Sequence, residues 1–159
     1  MRNLTLLLTA IFMVQISINA QSNKEEIDFI QSVFGMEKKE MYNNFVTVKG
    51  PVADNFWALY DEYETKRKEL GKNRINLLEQ YAKNYDGHSQ EQLDSMMDKL
   101  IKQKTSLDKL INKYYKKIRG SAGSKAAAQF LQLETYILAA TRVVIMENIP
   151  FIGELDANR

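Results

Sequence analysis

The sequence contains no cysteine at all. That excludes disulfides, thiolate metal ligands, a cysteine nucleophile and lipid attachment at a lipobox cysteine. Histidine occurs once, as His88. A protein zinc site takes three or four ligands, and no Glu/His pairing at helical spacing supplies them. His88 is therefore expected as a solvated turn residue beside Asp86. Proline occurs twice, at positions 51 and 150, and glycine seven times, mostly where helices should break. Long stretches without either, and few β-branched clusters, make a helical composition. There is no glycine-rich phosphate loop, nucleophile elbow or dinucleotide fingerprint. Carboxylates are scattered over polar helix faces, where solvation is the default reading. No catalytic residue, cofactor or metal is expected, and the chain is not expected to be an enzyme.

Charge of one sign is lacking too. The formal net charge is +2, falling to +1 if the first twenty residues, which carry only Arg2, are removed. That balance speaks against a strong nucleic-acid binder. Beyond the N-terminus no apolar run is long enough to cross a bilayer. The most apolar stretch, Tyr136 to Ile152, is cut by Arg142, Glu147 and Asn148.

What is present begins with an export signal. Arg2 forms a short positive region, Leu4 to Val14 an apolar one, and Ala20 a small residue before Gln21. Residues 1–20 are expected to be a cleaved signal peptide, although Ile18 is larger than an ideal cleavage site carries. The stretch is short for a membrane anchor and is interrupted by Gln15 and Asn19. The expected organisation is a single helical domain over 21–152 and a frayed tail over 153–159.

Four helical segments follow. The first, about 24–45, has Ile27, Ile30, Phe34, Met41 and Phe45 at helical spacing. Gly50 and Pro51 close it and open the second. The second, about 51–85, carries Phe56, Tyr60, Tyr63, Arg67, Leu70, Arg74, Leu77 and Tyr81, in steps that alternate four and three. The third, about 90–119, carries Leu93, Met97, Leu100, Lys104, Leu107, Ile111, Tyr114 and Ile118 with the same alternation. An average repeat of about 3.5 residues keeps one seam facing a partner helix. A short connector through Gly87 makes the two helices antiparallel neighbours. Their seams mirror each other, because pairs such as Tyr63 with Ile111 all add to 174, twice the number of Gly87. Ser89 with Gln92 has the pattern of a capping box. The fourth segment, about 124–148, follows the loop 120–123 with Ser124 as N-cap, and Pro150 ends it. The fold class expected is all-α: a long antiparallel helical hairpin with two further packed helices, bundle-like. Each arm measures about 45 to 50 Å at about 1.5 Å per residue.

Several side chains stand out. Arg67 lies in the seam and Glu134 beside the apolar face of the fourth segment, about level with each other. A structural Arg67–Glu134 salt bridge fixing register is expected. Lys113, Lys116, Lys117, Arg119 and Lys125, interleaved with Tyr114 and Tyr115, form a basic cluster. It reads as a docking patch for an anionic partner, or as cations favoured by a helix C-terminus. Met96 is a candidate adaptable contact surface, while Met97 on the seam fills core. Trp57 lies off the strict stripe, so it packs on the first or fourth segment or is exposed for binding, and packing on the fourth is the favoured expectation.

With an export signal, about four helices, a long hairpin and no cysteine, the chain resembles the small exported helical proteins of the Spy/CpxP type. That family carries Leu-Thr-x-x-Gln motifs at helix starts. Here His88-Ser89-Gln90-Glu91-Gln92 keeps a hydroxyl residue and the Gln, and Ser124 to Phe130 with Gln132-Leu133-Glu134 is similar in style to the helix after the second motif. The resemblance implies a periplasmic envelope-stress protein, an ATP-independent holdase or a modulator of a stress sensor. The expected partner is a protein, either an unfolded client or an envelope sensor. Contact with a membrane surface and a homodimer are both compatible with the sequence, nucleic acid is not, and the expected location is periplasmic or secreted. The alternative is a structural or adaptor protein docking one folded partner.

Overall fold

The computed structural model describes residues 35–83 and 87–148. The expectations for the signal peptide, the frayed tail, Asp86 and Pro150 lie outside those residues. The described chain is all-helical, with no strand. We label the helices α1 (35–45), α2 (Pro51–Lys83) and α3 (Gln90–Asn148).

The local chemistry accounts for the boundaries. Gly50 has φ 58°, a left-handed conformation that costs glycine little, and its carbonyl accepts from the Ala53 N–H at 2.8 Å to start α2 over Pro51. At the start of α3 the expected capping box is formed. The Ser89 N–H donates to Gln92 Oε1 at 2.9 Å and the Gln92 N–H to Ser89 Oγ at 3.3 Å. Within α3, Gly123 leaves helical geometry with φ 89° and ψ 166°, a region open essentially to glycine. The break falls where a loop is expected, but helical structure persists through Gly120, Ser121 and Ala122. Ser121 Oγ bonds back to the Lys117 carbonyl at 3.1 Å within that turn. We refer to 124–148 as the second arm of α3.

The core gathers at one end of the molecule. Tyr42 and Val46 near α1, Phe56, Tyr60 and Tyr63 of α2, and Ile111, Tyr114 and Ile118 of α3 join Ala126, Ala127, Phe130, Leu133 and Ile137 of the second arm. Buried Ala126 and Ala127 let the backbones approach closely. Ring contacts tie the layers together: Tyr42 lies 4.6 Å from Tyr60, Tyr63 5.5 Å from Tyr114, and Tyr63 5.0 Å from Phe130 between centroids.

Between α2 and α3 the contacts run in opposite chain directions, from Glu62 with Lys117 to Lys66 with Tyr114. The observed ring pair Tyr63–Tyr114 adds to 177, three residues from the seam sum read in the sequence. Glu62 with Lys117 adds to 179 and Lys66 with Tyr114 to 180, so the observed side-chain contacts run three to six residues beyond that sum. Trp57 packs against the core cluster, which includes residues of the second arm, and Lys39 Nζ of α1 lies 5.6 Å over its ring. The indole also meets Phe56 and Tyr60 of its own helix edge to face.

Toward the other end Leu107 packs on the edge of this core, and among the described residues none of its buried members comes from 70–83 of α2 or 90–106 of α3. There Leu70, Ile75, Leu77, Leu78, Leu93, Met97 and Leu100 are only half-buried. Tyr81 and Met96 are buried at 7% exposure. Met96, expected as a contact surface, is the more buried of the two methionines, while Met97 is half-buried.

Candidate functional site

Four charged side chains are sealed within the core end: Lys38 at 2%, Glu64 at 8%, Arg67 at 9% and Glu134 at 0% exposure. They come from three helical pieces. Lys38 of α1 is the hub. Its Nζ donates to Glu64 and contacts both Glu134 oxygens, at 2.8 Å and 2.7 Å. Arg67 Nε donates to Glu64 at 2.9 and 3.1 Å. Tyr42 Oη donates to Glu134 Oε2 at 2.9 Å and lies 3.1 Å from the Phe130 carbonyl. Lys38 also sits 5.2 Å above the Tyr63 ring.

Arg67 and Glu134, expected as a direct salt bridge, lie in one buried cluster, where the described contacts link them through Glu64 and Lys38. Lys38 is not singled out by its local sequence, because a lysine on an amphipathic helix is assigned to solvent by default. The signal that could have found it is the inward line Lys38, Tyr42, Val46, at steps of four, together with a buried Glu134 that requires a counter-charge.

Two acids and two bases balance within the cluster. Burial favours the neutral form of Glu64, but Lys38 and Arg67 outweigh it and hold its carboxyl below the ordinary value. Burial likewise disfavours the charged form of Arg67, and Glu64 more than restores it. The phenols of Tyr42 and Tyr63 are driven far up, first by burial and then by Glu134; that of Tyr60 is driven up by burial and then by Glu64. The Tyr60 and Tyr63 hydroxyls are buried without hydrogen-bond partners. Lys38 meets Glu64 and Glu134, and Arg67 meets Glu64, so the cluster ties α1, α2 and the second arm together.

The basic residues lie outside this lock. Lys113, Lys116, Lys117, Arg119 and Lys125 are all exposed. Lys117 approaches Glu62 at 3.2 Å and stands 5.0 Å over the Tyr114 ring. The guanidinium of Arg119 lies 5.8 Å over the half-buried ring of Tyr115. Lys66 bonds Glu62 at 2.6 Å and Tyr114 Oη at 2.8 Å. Hydrogen bonds from Lys66, with Tyr114 and Lys117 also contributing, bring the Glu62 carboxyl down to about 2. Beside them runs an open groove of about 360 Å³, with Leu70 and Leu110 on its floor and Lys66, Lys109, Lys113 and Glu69 along its rim. His88 stacks on Tyr81 with ring centroids 6.0 Å apart and is half-buried, not a solvated turn residue.

Among the described residues no group of three metal-ligating side chains converges, and no helix is long and apolar enough to cross a membrane. Compared with protein-family models, characterised proteins and solved structures, the chain matches none.

Proposed function

We propose that this chain is an exported, non-catalytic binding protein, periplasmic or secreted, that holds non-native protein chains or modulates an envelope stress sensor. In this reading it is a long antiparallel helical hairpin with two further helices packed at one end. The opposite chain directions of the α2–α3 contacts and the break at Gly123 support that arrangement. The resemblance of the export signal and helix starts to the Spy/CpxP type supports the location.

The observation that carries the functional reading is the exposed row Lys113, Lys116, Lys117, Arg119 and Lys125 beside Tyr115, on a scaffold whose interior charges are all engaged. Exposed apolar side chains accompany it, among them Ile101 at 63% and Val143 at 55% exposure. Tyr136 and Val143, seven residues apart, share one face of the second arm. Cations with apolar and aromatic neighbours suit reversible contact with unfolded, acidic or amphipathic segments. Without nucleotide machinery, binding and release follow mass action alone.

The test is suppression of aggregation by the purified protein, with several unrelated clients at sub-stoichiometric to equimolar amounts. Suppression of all of them, lost on reversing Lys113, Lys116 and Lys117 to Glu, supports the reading. No suppression, together with capture of one folded partner from an envelope extract, would instead assign an adaptor role.

A further inference from the structure

The lysines of this chain fall into two sets. In the first, each has a carboxylate within reach. Lys39 meets Asp61 at 2.7 Å, and Lys66 and Lys117 share Glu62 at 2.6 and 3.2 Å. The second set follows one ridge of α3. Lys99, Lys102, Ser106, Lys109, Lys113 and Lys116 are spaced by alternating steps of three and four, so they share one face for about 25 Å. The five lysines are exposed, and among the described residues none of them forms an ion pair. No acidic residue interrupts the row. Like charges three and four residues apart on a helix repel and destabilise it. Nothing in the described fold offsets that repulsion, which points to an anion from outside the chain.

The ridge forms one wall of the open groove between α2 and α3. Ser106, Lys109 and Lys113 stand on the α3 side, Lys66 and Glu69 on the α2 side, and half-buried Leu70 and Leu110 make the floor. The Ser106 hydroxyl donates to the Lys102 carbonyl at 2.8 Å and is thereby occupied. Lysine stems extend the apolar lining while their heads reach the rim. Three cations against one carboxylate on that rim select a negative ligand, and the leucine floor selects one that also carries an apolar group. Size and shape narrow the choice further. A helix about 10 to 12 Å across is too wide for a groove of about 360 Å³. An extended chain fits, because the open side leaves its backbone N–H and C=O groups facing water. Alternate side chains of an extended chain lie about 6.6 Å apart, close to the rise of about 6 Å between Lys109 and Lys113. Two carboxylates at that spacing reach up to these lysines, and the side chain between them turns down onto the leucines. A single-headed amphiphile would leave most of the ridge unanswered, and a nucleic acid would leave the leucine floor idle.

We propose that the groove between Leu70 and Leu110 binds a short extended segment of an acidic protein chain, with one apolar side chain on the two leucines and a carboxylate on either side of it paired with Lys109 and Lys113. The remaining lysines of the ridge attract further acidic residues of the same segment. The inference rests on the reading that this chain binds other protein chains, and it adds the place and the sequence character of what is bound.

The probe is a short fluorescein-labelled peptide with a central Glu-Leu-Glu, followed by fluorescence anisotropy with the purified full chain. The expected result is saturable binding. Lys109→Glu combined with Lys113→Glu should weaken it by about tenfold or more, and a Lys-Leu-Lys peptide should bind that variant better than the parent. Peptides with Gln-Leu-Gln or Glu-Ser-Glu at the centre should bind the parent about tenfold more weakly. Lys49→Glu combined with Lys104→Glu makes the same change in net charge at exposed lysines off the ridge, and should leave binding within about twofold. Circular dichroism matched to the parent verifies folding, and the peptide substitutions leave the protein untouched. Absence of saturable binding, an equal loss in the Lys49/Lys104 variant, or displacement by laurate or a single-stranded oligonucleotide as effective as by unlabelled Glu-Leu-Glu peptide would each overturn the proposal. Aggregation suppression without peptide binding would remove the groove and leave the binding-protein reading standing. Groove binding without aggregation suppression would support the groove and remove the holdase.

Discussion

One end of the α2–α3 pair is a sealed core, and at the other the described apolar side chains of the seam are mostly half-buried. At the core end, α1 and the second arm of α3 bury aromatic rings and four charges in the same volume. At the far end, the heptad positions Leu77, Leu93 and Leu100 remain half-buried despite an equally regular spacing. A facing pair of seams excludes water from one side of each helix only. Further helices are needed to complete the burial, and the described ones cover a single end. The difference teaches that periodicity selects which residues face inward, whereas cover decides how much each contributes.

The largest effect is expected where the comparison is sharpest. Lys38→Met leaves Glu64 and Glu134 buried without their shared cation and should lower unfolding stability by about 3 to 5 kcal/mol in urea titration. A loss under about 1 kcal/mol would show that the cluster is hydrated and not sealed. Phe130→Ala at the core end should cost about 3 to 5 kcal/mol. Leu100→Ala at the far end should cost only about 1 kcal/mol, because its side chain is already partly exposed. Equal costs in the same titration would erase the distinction between the ends.

Two glycines in α3 should respond with opposite sign. Gly123→Ala forces a methyl group into φ 89°, ψ 166° and should destabilise by about 1 to 3 kcal/mol. Gly120→Ala lies in helical backbone with open space around it and should stabilise by about 0.5 to 1 kcal/mol. The smallest effect concerns the exposed pairs. The Glu62 carboxyl sits at about 2 in the folded chain, against an ordinary value of 4.5. Its contribution is therefore present above pH 4.5 and lost as pH falls through that window toward 2. Glu62→Gln should flatten that part of the acid melting curve and leave the curve at neutral pH nearly unchanged.

Much of the fold is legible in the residue order alone. The helix starts at Pro51 and Ser89 follow from proline and capping chemistry, and the break near Gly123 follows from a glycine-bearing loop. The inward faces of α2 and α3 follow from steps of four and three. The site is less legible. Arg67 and Glu134 betray themselves as charges on apolar stripes, and Lys38, the residue that joins them, fills the step between Phe34 and Met41 in the first segment's own apolar spacing, yet a lysine there reads by default as a solvated charge. Met96 lies inside although its place beside the seam marks it as a surface residue.

The sequence by itself determined helicity, helix boundaries and the faces that avoid water, since these depend on backbone propensity and on contacts within a few residues. Only tertiary structure decided which charges share a buried volume, which methionine lies inside and which end of the seam is covered. Those outcomes depend on residues as far apart as Lys38 and Glu134, brought within 2.7 Å by packing that spacing along the chain does not encode.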